Sequence, residues 1–147
     1  MKRQPAFTLK LEDQLCFALY STMLGVNKVY RDVLRRIGLT YPQYLVMLVL
    51  WENDGLAVGE IGVRLFLDSP TITPLLKRLE AIGLLRRERS AKDERQVMIT
   101  LTQTGVALRV QAGQIPCDLL ARMEMPLPEI VALREKLLLL RGALFRH

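Results

Sequence analysis

The two cysteines, Cys16 and Cys117, carry most of the chemistry this chain can offer. A thiolate is a strong nucleophile and a thiol a poor one, so the groups around each sulfur decide what it does. Cys16 stands between Leu15 and Phe17 on an apolar helical stripe, where a small buried hydrophobe is one reading of it. Tyr20 lies one turn further along the same face and brings a phenolic donor. Tyr30 is fourteen residues on, about 40° around a helix but about 21 Å along it. Cys16 and Tyr30 of one straight helix therefore cannot touch; they meet only if two such helices pack antiparallel across a dimer. Phenolic donors and an early helical position favour the thiolate, whereas the charges of Glu12 and Asp13 oppose it. Cys117 follows Pro116, where a helical pattern is interrupted. It reads either as an inert core cysteine or as a second reactive thiol.

A second constellation runs from Leu67 to Leu101. A polar, Pro-punctuated helix start is followed by an amphipathic helix with Lys77 and Arg78. Two short strands then flank a charged tip, Ser90 to Arg95. A helix followed by a basic hairpin suits one element to the DNA major groove and a finger to the minor groove. Ser69, Thr71 and Thr73 place hydroxyls and backbone N–H groups where phosphates or base edges can be reached. Of Lys77 and Arg78, one reads as a phosphate contact and the other as a solvated charge. Arg87 and Arg89 share a face of the first strand, either solvated or flanking phosphates. Arg95 follows Asp93 by two positions, a spacing at which the carboxylate can orient the guanidinium before it enters a narrow groove. In isolation such a tip reads as a solvated charged turn; behind a recognition helix it reads as a DNA contact.

Composition agrees with a polyanionic partner. The chain has 147 residues, which suits one domain or one domain with an appended arm, and 50% of them are apolar. Twenty-one Lys and Arg against fifteen Asp and Glu give a net charge of +6. The charged N-terminal stretch lacks a signal-peptide core, and LLLL at 137–140 is bounded by Lys136 and Arg141, so no membrane segment is expected. Two distant cysteines make no secreted framework. A cytoplasmic location is the expectation, where a disulfide is regulatory or catalytic rather than structural. No metal site and no cofactor are expected: the only histidine is His147, and the cysteines lack zinc-ligand spacing. Gly55, Gly59 and Gly62 form no phosphate-binding fingerprint.

The elements that must position these residues are mainly helical. Apolar residues at 11, 15, 19, 23, 26, 30, 33 and 37 predict one long helix over 11–37, ended by Gly38. Thr40 and Gln43 form a capping box for a helix that is apolar almost all round and stops at Asn53-Asp54-Gly55. Val58 to Leu65 predicts a short helix with Ile61 and Leu65 inward. The next helix begins at Ser69, with Pro70 in its first turn, or at Thr71; Pro74 favours the later start, and Gly83 ends it. Val97, Ile99 and Leu101 alternate as a half-buried strand. Thr102 and Gly105 open a fifth helix, which Pro116 kinks or breaks, and a last helix covers about 127–145 with an apolar face of Ile130, Val131, Leu137, Leu138 and Leu144. The long terminal helices leave apolar surface that a second copy would cover. The fold class is thus mainly α with a small β-wing: a winged helix-turn-helix over 39–102, with 1–38 and 103–147 forming a helical dimerisation region.

LCFALY at 15–20, LTYPQYLVMLVLWE at 39–52, LDSPTITPLLKRLEAIGLL at 67–85 and DERQVMITLTQTG at 93–105 resemble the organic-hydroperoxide-sensing repressors of the MarR family. The resemblance covers roughly 11–110. Pro70 stands where the family pattern has a small residue such as Gly, and is expected to alter the start of the helix without abolishing it. After about 112 the resemblance is one of general shape. It implies a homodimer that binds pseudo-palindromic double-stranded operator DNA and represses a peroxide-detoxifying gene until an organic hydroperoxide oxidises Cys16. It further implies that Tyr30 and Tyr41 of the partner subunit donate hydrogen bonds to Cys16, with Tyr20 nearby, and that Cys16 pairs in a disulfide with Cys117 of the other subunit. Apolar neighbours such as Phe17 and Leu19 suit an organic peroxide. Two other readings compete: a MarR-type repressor controlled by a small aromatic ligand in the dimer cleft, and a thiol peroxidase using the same cysteine pair.

Overall fold

The computed structural model describes residues 8–147. Residues 1–7, which begin the charged N-terminal stretch and the expected dimerisation region, lie outside the described residues. The chain divides into two compact units, one ending at Ala112 and the other spanning Gly113–His147.

In the first unit a 3-10 turn, Leu11–Asp13, precedes α1, Leu15–Val33. The single helix expected over 11–37 is therefore broken at both ends. Gln14 is extended, and its amide Nε2 donates to the carbonyls of Thr8 and Lys10 at 2.8 and 3.0 Å, closing the preceding turn on itself. After Leu34 the helix tightens into a 3-10 turn, Arg35–Ile37, and stops at Gly38. The expected capping box opens α2, Tyr41–Glu52: the backbone N–H of Thr40 donates to Gln43 Oε1 at 3.0 Å, and that of Gln43 donates to Thr40 Oγ1 at 3.4 Å. As its all-round apolar sequence requires, α2 is central, with Tyr44, Val46, Met47, Val49 and Leu50 buried.

A two-residue strand, β1 (Leu56–Ala57), leads into α3, Val58–Leu65. Ile61 is buried as expected, while Leu65 is only half-buried. The next helix, α4, spans Ser69–Ala81 and holds Pro74 in its interior, so the earlier of the two expected starts is the observed one. Asp68 fixes that start by accepting the Thr71 N–H at 3.0 Å. Pro74 has no N–H to give to the carbonyl of Pro70, and both residues lie on the exposed side of the helix. Gly83 ends the helix with a left-handed φ of 81°. The strands β2 (Leu85–Arg89) and β3 (Val97–Leu101) then form the hairpin. All pairings are antiparallel in the order β1-β3-β2, with Leu56 and Arg87 both opposite Ile99.

Helix α5, Gln103–Ala112, starts where Thr102 Oγ1 accepts the Gly105 N–H at 3.1 Å. Gly105 is obligatory: a Cβ there would fall 2.0 Å from the carbonyl oxygen of Leu84. Its own carbonyl accepts the Trp51 indole N–H at 2.9 Å, tying α5 to α2. Beneath the hairpin, Met47, Leu50, Ile61, Ile72, Leu76, Leu79, Leu85 and Ile99 are fully buried and fix α3, α4 and the sheet against α2.

The second unit holds α6, Ile115–Met123, and α7, Leu127–Leu144. Pro116 sits in the first turn of α6, so the expected interruption is a full break between two helices. No residue of α7 is buried, and Leu133, Leu137, Leu138, Leu139 and Leu144 are exposed. Among the described residues, no helix is long and apolar enough to cross a membrane. Nor is any group of three or more His, Cys, Asp or Glu placed to hold a metal ion.

Candidate nucleic-acid interface and thiol site

Helical periodicity divides the residues of α4 into three strips. Ile72, Leu75, Leu76 and Leu79 are buried. Pro70, Thr71, Pro74, Lys77 and Arg78 form an exposed outer ridge. Ser69 and Thr73 lie on the flank toward the hairpin, where they line a groove of about 790 Å³ together with Arg87, Arg95 and Val97 from the wing and Glu60 from α3. The expected contact residues of the helix are thus split between a ridge and a groove.

The wing tip is an organised turn. Ser90 Oγ accepts the N–H groups of Lys92 and Asp93 at 3.2 and 3.3 Å, and the Arg89 guanidinium donates to the Glu94 carbonyl at 2.8 Å. Asp93 Oδ1 accepts both the backbone N–H of Arg95, at 3.1 Å, and its Nε, at 3.4 Å. The Arg95 side chain is 92% exposed despite this tether. The expected Asp93–Arg95 pairing is therefore present: an oriented cation projects from the tip. Arg87 behaves differently. Glu80 of α4 accepts its backbone N–H at 2.8 Å and its Nε at 3.2 Å. These two bonds to Arg87, together with its positive charge, hold the Glu80 carboxyl below the usual carboxylate range. The side-chain and backbone hydrogen bonds from Thr71 likewise lower Asp68. Sequence reading missed both acids. An Asp directly before Ser-Pro was the available signal for Asp68; Glu80 had none, because its partner lies seven residues away on another element.

Cys16 is the second residue of α1, in a first turn with no side-chain cap. It is exposed, and so is Cys117 in the first turn of α6; neither is the buried core cysteine that was one reading of each. The break at Gln14 makes Cys16 the second residue of α1 and leaves Glu12 and Asp13 outside that helix. Tyr20, one turn on, is 64% exposed. Tyr30 and Tyr41 stack on each other with ring centroids 4.1 Å apart, and Tyr44 leans on Tyr30 at 5.9 Å. Burial, reinforced by Tyr41 and Tyr44, pushes the Tyr30 phenol well up. Burial also raises Tyr41, and burial together with Tyr41 raises Tyr44. All three stay protonated near neutrality and remain able to donate. Tyr44 was missed by the sequence reading, although its place one turn after Tyr41 was the signal. Within one chain Tyr30 and Tyr41 are brought together, while Cys16 stands at the opposite end of α1 from Tyr30.

Residues 28–109 match the family model described as transcriptional regulator SarA/Rot. The chain is 51% identical over 134 residues to the HTH-type transcriptional regulator TtmR of Methylorubrum extorquens (strain PA1), covering 91% of this chain and 69% of that one. It is 48% identical over 112 residues to the organic hydroperoxide resistance transcriptional regulator of Bacillus subtilis (strain 168), covering 76% of each. Among solved structures it is similar to AbfR of Staphylococcus epidermidis. With reduced AbfR bound to DNA it shares 36% identity and a TM-score of 0.77, over 91% of this chain and 93% of that one. With disulfide-formed AbfR the identity is 38% and the TM-score 0.61, over 88% and 91%. An α2–α4 unit with a three-stranded wing, together with these likenesses along most of the chain, places it in the MarR/SarA-type family of winged-helix transcriptional regulators.

Proposed function

We propose that this protein is a redox-sensing repressor: a reduced homodimer occupies operator DNA and leaves it when an organic hydroperoxide oxidises Cys16. The observation that carries the reading is an exposed thiol in the uncapped first turn of α1, on a chain that also builds a winged helix. Relatives support it: one is named for organic hydroperoxide resistance, and another is described both reduced on DNA and in a disulfide form.

In this reading residues 39–102 meet DNA. Ser69, Thr71, Thr73 and Lys77 or Arg78 follow the major groove and Arg95 enters the minor groove oriented by Asp93, while Arg87 lines the groove beside them paired with Glu80. The helices of 1–38 and 103–147 form the dimer, in which the stacked Tyr30 and Tyr41 of one subunit donate to Cys16 of the other while Tyr20 closes the same pocket. The Cys16 thiolate attacks the terminal peroxide oxygen; the O–O bond breaks and the alkoxide leaves, taking up a proton as the alcohol. Cys16 becomes a sulfenic acid. The Cys117 thiolate of the partner subunit then attacks that sulfur, and hydroxide leaves and takes up a proton as water, leaving an intersubunit disulfide. Closing it shifts the winged units and spoils their half-site spacing. The oxidant is consumed once per binding event, and DNA occupancy is the output.

The test is a gel-shift titration on the DNA directly upstream of the protein's own gene, with cumene hydroperoxide and then a reductant. The wild type should bind, release on oxidation and rebind on reduction. Cys16→Ser should bind and stay bound; normal release by that variant refutes the sensor assignment.

A further inference from the structure

We propose that Glu80 is a positioning residue that masks the charge of Arg87 and clamps the wing to the recognition helix, keeping Arg87 from acting as an indiscriminate phosphate contact. The inference rests on the DNA-binding reading above. It starts from an asymmetry between two arginines lining one groove. Arg95 is tethered to a carboxylate on its own turn and is almost fully solvated. Arg87 is only 26% exposed and is bound twice by one carboxylate from a different element. Glu80 accepts the backbone N–H of a residue in β2 as well as its side chain, so the contact fixes the strand and not merely a rotamer. A carboxylate that neutralises a cation on a DNA-facing groove lowers non-specific attraction, which depends on unpaired positive charge. The same bonds hold β2 at a set height over α4, and so set where the Arg95 tip stands relative to Ser69 and Thr73. Affinity for any duplex is thereby given up in exchange for discrimination between duplexes.

Glu80→Gln separates the two roles, since an amide oxygen still accepts the Arg87 N–H but carries no charge. Binding is measured against salt for the upstream duplex and for a random-sequence duplex of equal length, using the wild type, Glu80→Gln and the Glu80→Gln/Arg87→Gln double variant. Freeing one cation steepens the logarithmic salt slope by about 0.9, so that Glu80→Gln loses about 3.5-fold more affinity than the wild type between about 50 and 200 mM salt. At low salt it binds the random duplex more tightly, and its preference for the upstream duplex shrinks. The double variant returns to the wild-type slope or below. A wild-type slope and preference in Glu80→Gln, with or without a lower melting temperature, overturns the masking role. If the wild type itself binds neither duplex, it is the DNA-binding reading that has failed, and this inference with it. Should Glu80→Gln unfold, Arg87→Gln alone is the second measurement: a masked cation leaves the slope unchanged when removed, and a fall of about 0.9 overturns the proposal.

Discussion

A single guanidinium, that of Arg95, shows how a local tether can prepare a cation for the DNA contact proposed above. Arg95 carries the same charge as the other arginines of the hairpin, but its backbone and Nε are both held by Asp93 while its side chain is 92% exposed. That tether restricts the rotamers of Arg95, so in the proposed complex less entropy would be lost on insertion. Arg95→Ala should weaken binding to the upstream duplex about tenfold, on the order of 1–2 kcal/mol, and lower the salt slope by about 0.9. Asp93→Ala should weaken it less and leave the slope in place, because the cation survives and only its orientation is lost. Salt titrations read both quantities, and an Arg95→Ala variant with wild-type affinity and slope removes the residue from the interface. The Asp93–Arg95 pair was legible in the sequence because both residues sit on one turn. The Glu80–Arg87 pair was not, because only the fold brings α4 and β2 together.

At the scale of elements, local chemistry was readable and long-range geometry was not. The Thr40–Gln43 box, the Gly83 stop, the Thr102–Gly105 start and the alternation of β3 are contained in a few neighbouring residues, and each stands where its chemistry places it. The breaks at Gln14 and after Leu34 escaped because the apolar period runs straight through both, while the groups that cause the first, the carbonyls of Thr8 and Lys10, carry no sequence pattern. Two-residue β1 is too short for any period and exists only through its pairing with β3. The tyrosine cluster joins α1 to the start of α2, and it makes a prediction about alkali. The Tyr30 phenol is pushed above its unfolded value of about 10. Between that value and the higher folded one, the unfolded chain releases the proton and the folded chain keeps it. The stability contributed is therefore complete below about 10 and is lost as pH rises toward the folded value. Tyr30→Phe has no proton to lose. The melting temperature of wild type relative to that of Tyr30→Phe should hold steady from neutral pH to about 9 and fall above 10. A difference that stays constant to pH 11 would mean that the phenol is not shielded in the folded protein.

On the scale of the whole molecule, the question is how a reaction at one sulfur becomes a change in DNA occupancy. Neither α1 nor α7 buries a single residue within the chain, yet Leu15, Phe17, Met23 and Leu24 on the one and Leu133, Leu137, Leu138 and Leu139 on the other are apolar. In the proposed dimer a second chain covers this apolar surface. A twofold assembly also matches the two half-sites of a pseudo-palindrome. Such an assembly can turn one disulfide into a global change, because a bond made across its subunits must satisfy the narrow geometry of sulfur and drag backbone with it. The consequence is specific to Cys117. Peroxide-treated wild type should run as a covalent dimer on non-reducing gels and let go of DNA, and reductant should reverse both. Cys117→Ser should still lose its Cys16 thiol to peroxide, detectable as a sulfenic acid by dimedone labelling and mass, but should form no covalent dimer. If the disulfide is what moves the winged units, this variant should also keep most of its DNA affinity after oxidation, until the sulfenic acid is oxidised further. A covalent dimer persisting in Cys117→Ser would mean that Cys16 pairs with its own symmetry mate, the only other thiol then present, and the switch would have to be built around the twofold axis instead.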